Sequence, residues 1–264
     1  MPATTATWVG KPVWVDLASS DAATSRDFYA RLFGWQVEVS PDPQYGGYAT
    51  ARLAGRGVAG IGPKQSPEAP SAWALYIGTD ELDALADKVT TAGGTVVVAP
   101  FAVGDQGRMA VFADPVGAVI SAWEPSPDWQ AGEQGFHGGA PNTFGWAELS
   151  ARAIETAIPF YREVFGWTAR KSATGAGGPA YTEFEVDGES IAGGLEMPAN
   201  VPAEVPSYWM VYFGVDDVDR AFRQALDAGA EEMVEPQDFP GGRFAILRDP
   251  QGAMFGLLRL SAAT

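Results

Sequence analysis

The feature that most constrains this chain is an internal duplication. Residues 13–35, VWVDLASSDAATSRDFYARLFGW, return as residues 145–167, GWAELSARAIETAIPFYREVFGW, with Trp-x-acid-Leu at the start and FY-x3-FGW at the end. WALYIGTDELDALADKVTTAGG (73–94) returns as WMVYFGVDDVDRAFRQALDAGA (209–230), and GRMAVFADPVGA (107–118) as GRFAILRDPQGA (242–253). Landmarks that recur in the same order along both halves require a fold that builds one unit twice. Between the copies, PSPDWQAGEQGFHGGAP (125–141) is rich in Gly and Pro and has no periodicity, which is the signature of a linker. The predicted division is residues 8–125, a linker at 126–141, and residues 142–262.

Each half divides again. Residues 13–18 alternate as a strand, and residues 21–33 carry Phe28, Leu32 and Phe33 at helical spacing, with Ser20 or Asp21 as N-cap. Residues 36–39, 48–53 and 58–61 are short apolar runs separated by Pro41-Asp42-Pro43, Gly46-Gly47 and Gly55, hence strands with turns. The order strand, helix, strand, strand, strand repeats with a strand at 74–79, a helix at 81–92 and strands near 95–98, 108–112 and 119–123. Two such βαβββ modules per half give four in the chain.

Composition narrows the function. Thirty-three acids against 17 bases, a formal charge of −16, repel nucleic acid and anionic lipid. No cysteine is present, which removes disulfides, thiolate nucleophiles and zinc-thiolate sites; a single histidine, His137 in the linker, removes any multi-histidine metal site. The first ten residues have neither a basic nor an apolar leader region, and no apolar run approaches the roughly 18 residues of a membrane span. The expected location is the cytoplasm.

Four βαβββ modules with FY-x3-FGW after the first helix and D-P-x-G before the last strand resemble the vicinal oxygen chelate superfamily of glyoxalases, bleomycin-resistance proteins and extradiol dioxygenases. The WVDL and WAEL strands and the GR-x-A-x4-P-x-G-A stretches resemble in particular the two-domain glyoxalase-like proteins of actinobacteria. The resemblance implies an α+β fold of tandem glyoxalase-like domains whose sheets curl around clefts. It also implies positions at which metal-dependent members supply His, Gln or Glu. Here those positions hold Trp14 and Trp146, Ser121 and Gly256, Ala74 and Met210, and Gly60 or Ile61 with Gly194 or Leu195. None is a strong ligand, and the nearby Glu196 alone has the chemistry. The expectation is a site with neither metal nor cofactor.

Alternate residues of a strand share a face, so those positions mark the face turned to the cleft. It carries Trp14 with Asp16, Trp146 with Glu148, Ala74 with Tyr76, Met210 with Tyr212, Ser121 with Trp123, and Gly256 with Leu258. If the halves pair as glyoxalase subunits do, one cleft combines Trp14, Asp16, Met210, Tyr212, Gly256 and Leu258. The other combines Trp146, Glu148, Ala74, Tyr76, Ser121 and Trp123. Each has one acid, one tyrosine and aromatic walls, which suits a flat, largely apolar molecule. Asp16 and Glu148 are the candidates for general acid–base work.

Three readings follow. One is a metal-independent protein that binds an antibiotic- or polyketide-like aromatic molecule, in resistance or tailoring. Another is a metal-dependent isomerase, lyase or dioxygenase. The third is a regulatory or interaction protein whose degenerate clefts are vestigial. Each is compatible with a monomer or a homodimer. Phe28-Tyr29 and Phe160-Tyr161 read as helix core, Arg108 and Arg243 as ion-pairing residues, and Asp114 and Asp249 of the D-P-x-G stretches as turn residues.

Overall fold

The computed structural model describes residues 8–127, 138–173 and 180–261. The first module is β1 (Pro12–Ser19), α1 (Ala22–Phe33), β2 (Gln36–Val39), β3 (Ala49–Leu53) and β4 (Arg56–Pro63). The second is β5 (Ala72–Gly78), α2 (Leu82–Thr91), β6 (Thr95–Val103), β7 (Gly107–Ala113) and β8 (Val119–Pro125). β9 (Phe144–Ala151), α3 (Ile154–Phe165), β10 (Thr168–Ala173), β11 (Ala180–Val186) and β12 (Glu189–Glu196) form the third. β13 (Tyr208–Gly214), α4 (Val218–Asp227), β14 (Glu231–Phe239), β15 (Gly242–Arg248) and β16 (Met254–Leu260) complete the fourth. The fold is α+β, with two tandem glyoxalase-like repeats and two eight-stranded sheets ordered β2-β3-β4-β1-β5-β8-β7-β6 and β10-β11-β12-β9-β13-β16-β15-β14.

Local chemistry explains where the elements stop. The Asp21 side chain accepts the Thr24 amide at 3.1 Å and caps α1. Gly34 and Gly166 end α1 and α3 in the left-handed region, at φ 72° and 73°, a conformation that costs glycine little; that is why FY-x3-F is followed by Gly-Trp. β6 runs beyond the expected 95–98 segment, through Pro100, because shifts in its pairing with β7 between Val96 and Val98 and between Val98 and Phe101 absorb the proline. β6 lies at a sheet edge, where a missing N–H breaks no inner ladder.

The residues cluster into two compact units. One combines the second and third modules, the other the first and fourth. Each has a core organised around a helix tyrosine. Tyr29, fully buried, stands edge-on to Trp73 at 5.1 Å and contacts Phe28, Phe33, Trp35, Phe213 and Phe255. Tyr161, also fully buried, stands edge-on to Trp209 at 5.4 Å and stacks on Phe165 and Trp167. Aromatic pairs in these geometries add to the burial term.

The two tyrosine hydroxyls are fixed identically. Trp73 Nε1–H donates to the Tyr29 hydroxyl at 2.9 Å, and that hydroxyl donates to Asp249 at 3.0 Å. In the other unit Trp209 donates to Tyr161 at 2.8 Å and Tyr161 to Asp114 at 2.8 Å. Asp114 and Asp249 also hold their turns, each accepting two backbone amides through Oδ1. The expectation of turn residues alone is therefore too narrow: each aspartate joins its turn to a helix of another module. Burial raises both carboxyls above their ordinary range, against the pull of those hydrogen bonds, and raises both phenols well above theirs. Among the described residues no helix is long and apolar enough to cross a membrane.

Candidate functional site

Strand β1 alternates cleanly. Val13, Val15, Leu17 and Ser19 are buried, whereas Trp14 and Asp16 are half-buried on the opposite face. In β9 the same order holds over Trp146–Leu149, with Ala147 and Leu149 buried and Trp146 and Glu148 half-buried, and it ends at the buried Ser150. In the second half the buried face meets the helix: a Cβ on Gly194, register partner of Leu149, would lie 3.0 Å from Ile154 at the start of α3. Trp146 and Glu148 point the other way. A half-buried acid and indole on the face that lacks a helix cover form the nucleus of each candidate site.

A residue absent from the sequence reading completes each nucleus. Asp16 pairs in register with Gly60 of β4, and Glu148 with Gly193 of β12. Each glycine lies beneath a tyrosine of the neighbouring hairpin, Tyr48 directly before β3 and Tyr181 on β11. A Cβ at Gly60 would fall 1.7 Å from the Tyr48 hydroxyl, and one at Gly193 would fall 1.9 Å from the Tyr181 hydroxyl. The hydroxyl end of each phenol thus sits over backbone, beside the acid, at a position only glycine permits. Each tyrosine precedes its glycine by the same spacing across its hairpin, which is the signal that locates the pair.

The hydrogen bonds then differ. In the first half Trp14 Nε1–H donates to the Tyr48 hydroxyl at 2.9 Å. In the second half the Tyr181 hydroxyl donates to the Glu148 carboxylate at 2.9 Å. Burial, with the Asp16 charge adding to it, holds the Tyr48 phenol well above its ordinary pKa, while the indole hydrogen bond acts in the opposite direction. Tyr48 is accordingly a neutral hydrogen-bond donor at any physiological pH.

On the second-module strands Tyr76 pairs with Ser121 and Gly78 with Trp123. Tyr212 pairs with Gly256, and Leu258 with Gly214. A Cβ at Gly256 would fall 2.0 Å from the Tyr212 ring, so Tyr212 fills the space of the missing side chain. Tyr76, Ser121, Trp123, Met210, Tyr212 and Leu258 are all buried. Trp14, Asp16, Met210, Tyr212, Gly256 and Leu258 fall in one compact unit, and Glu148, Tyr76, Ser121 and Trp123 in the other; Ala74 and Trp146 are assigned to the first, each adjoining a unit boundary.

These residues do not fit a divalent metal. A hard cation wants several oxygen or imidazole donors converging at about 2.0–2.6 Å. Trp14 presents an N–H donor, already directed at Tyr48, and Gly256 presents only its backbone, covered by a ring. Among the described residues no three His, Cys, Asp or Glu side chains come together. Glu196 lies at an exposed position and accepts the Ile154 amide at 2.9 Å, capping α3 from outside.

The remaining candidates fall outside the site. Arg108 pairs with Asp83 at 2.8 Å and Glu124 at 3.0 Å, and Arg243 with Asp219 at 2.8 Å and Asp238 at 3.0 Å. Phe28, Tyr29, Phe160 and Tyr161 are core. His137 lies outside the described residues.

Twice-repeated βαβββ modules, with parallel first and last strands in each module and a polar pair on the open face, define a tandem glyoxalase-like protein. The sequence pattern of the Glyoxalase/Bleomycin resistance protein/Dioxygenase superfamily matches residues 11–121 and 143–257, and the chain belongs to that family. CFP32 of Mycobacterium tuberculosis, which bears a provisional glyoxylase name, is 39% identical over 260 residues covering 95% of each chain. The anthracycline biosynthesis protein DnrV of Streptomyces peucetius is 37% identical over 265 residues, 95% of this chain and 94% of the relative. Among solved structures, the Mn(II)-bound glyoxalase from Novosphingobium aromaticivorans superposes with a TM-score of 0.65 at 17% identity, covering 95% of this chain and 82% of that one. That likeness concerns the fold.

Proposed function

We propose that the protein binds a small, flat, largely apolar aromatic molecule on the open faces of its sheets, without a metal, in a tailoring or protective step of natural-product metabolism. The observation that carries this reading is an indole at a ligand-type position, set beside a carboxylate and a phenol whose hydroxyl lies over a glycine. Trp14, Asp16 and Tyr48 supply a stacking surface, an acceptor and a donor, which is how an apolar pocket orients a ring system carrying a few oxygens. Trp146, Glu148 and Tyr181 repeat the residue set. Similarity over nearly the full length to a protein named for anthracycline biosynthesis supports a fused-ring ligand and a tailoring role. Asp16 and Glu148 are then polar anchors that also stand ready to take a proton from a phenol or enol of the ligand.

Calorimetric titration of the full chain with 2-hydroxyanthraquinone, before and after exhaustive chelation, tests the reading. The expected result is one affinity in both preparations. At a hundredfold excess over Kd the ligand then adds about 2.7 kcal/mol of stability. An affinity that disappears on chelation and returns with Mn(II) or Zn(II) overturns the metal-free part and restores the isomerase or dioxygenase reading. Absence of binding in both preparations overturns the aromatic ligand.

A further inference from the structure

The two acid–tyrosine sites are duplicates in sequence and differ in hydrogen bonding. Tyr181 has one hydroxyl hydrogen and directs it to Glu148. Tyr48 receives the Trp14 indole hydrogen instead, and among the described residues no group accepts its own O–H. The two acids differ by one methylene. Glu148 is long enough to meet the phenol lying over Gly193, whereas Asp16, at the corresponding register position beside Gly60, is shorter. We propose that the first-half site reads a carbonyl oxygen of its ligand through the Tyr48 hydroxyl, with Asp16 accepting a neighbouring ligand hydroxyl, whereas the second-half site lacks that donor and takes hydroxyl groups through Glu148. The preferred ligand of the first site is therefore an aromatic hydroxy-ketone or hydroxy-quinone.

Three features support the assignment. A hydroxyl that accepts one hydrogen bond donates a stronger one. Tyr48 is kept neutral by burial and by Asp16, so its proton is present to be shared. Its ring is pinned, since Gly60 and Gly62 both lie against it, and a Cβ at Gly62 would come within 3.0 Å of the ring. A pinned donor loses little freedom when a ligand arrives.

This inference rests on the aromatic-binding reading, and its test separates the two. Binding of 2-hydroxyanthraquinone is compared with that of 2-hydroxyanthracene, which has the same rings and hydroxyl and lacks the carbonyls. The wild-type protein is expected to prefer the quinone by about tenfold, the value of one ligand hydrogen bond. Tyr48→Phe should lose that preference while still binding the anthracene, which shows that the site remains folded. Asp16→Glu, which supplies the longer acid, should lose it too, by capturing the hydroxyl as Glu148 captures Tyr181. Tyr181→Phe should keep it. A preference that survives Tyr48→Phe, or that falls equally in Tyr181→Phe, overturns the inference and leaves aromatic binding standing. Failure of the wild type to bind either compound overturns both.

Discussion

The helix side and the open side of the sheets record the duplication differently. On the helix side the relays Trp73–Tyr29–Asp249 and Trp209–Tyr161–Asp114 match in residue type, direction and length to within about 0.2 Å. On the open side Trp14–Tyr48 and Tyr181–Glu148 use corresponding residues and different hydrogen bonds. The lesson is physical. A fully buried network leaves no partner free to change without stranding another, whereas the half-buried Asp16 and Glu148 differ by one methylene and stand beside phenols with different hydrogen bonds.

The largest effects should fall on the matched relays. Asp249→Ala and Asp114→Ala each strand a tyrosine hydroxyl and two turn amides, and urea denaturation should show a loss of about 3 kcal/mol in both. A loss confined to one of them would break the equivalence. On the open side, Gly60→Ala and Gly193→Ala push a phenol off its glycine. About 1–2 kcal/mol of stability should be lost in each case, but only Gly60→Ala should abolish the preference for the quinone. If Gly193→Ala abolishes it as well, the sites are equivalent after all.

A pH series sharpens the contrast further. Because burial raises the folded-state pKa of Asp114 and Asp249, the stability these carboxyls contribute is fully present below the ordinary aspartate range of about 3.9 and is lost as pH rises through the raised values. Asp249→Asn does not titrate at this position. The stability of the wild type relative to Asp249→Asn should therefore increase as pH falls from neutral into the acid range, read from urea midpoints in matched buffers. A difference that shrinks on acidification would contradict the sign. The smallest effects belong to Arg108→Ala and Arg243→Ala, whose exposed and half-buried ion pairs lie outside the site and should leave ligand affinity unchanged by calorimetry.

Much of this architecture is legible in the sequence, because alternation in β1 and β9, the helix-ending glycines and the repeated landmarks are local signals. The shared face of Trp14 with Asp16 and of Trp146 with Glu148 is legible too, since each pair lies on the strand that opens a half. Tyr48 and Tyr181 were not. Both fall in or beside an expected strand, but which hairpin residue covers Gly60 or Gly193 is set by pairing across the hairpin, which the alternation of a single strand does not reveal. The second role of Asp114 and Asp249 was hidden for the same reason, since the tyrosine each one meets lies in a different module. Glu196 was misleading in the opposite sense: its chemistry suits a metal, yet its position next to the start of α3 makes it a helix cap.

The central claim is that an aromatic ligand occupies these faces without metal. Native mass spectrometry of the full chain, purified without chelator and then mixed with 2-hydroxyanthraquinone, tests it most directly. The account predicts a protein mass free of divalent metal that gains the ligand, with the adduct unchanged by added chelator. A stoichiometric metal in the purified protein, or an adduct that forms only when metal is supplied, would contradict it.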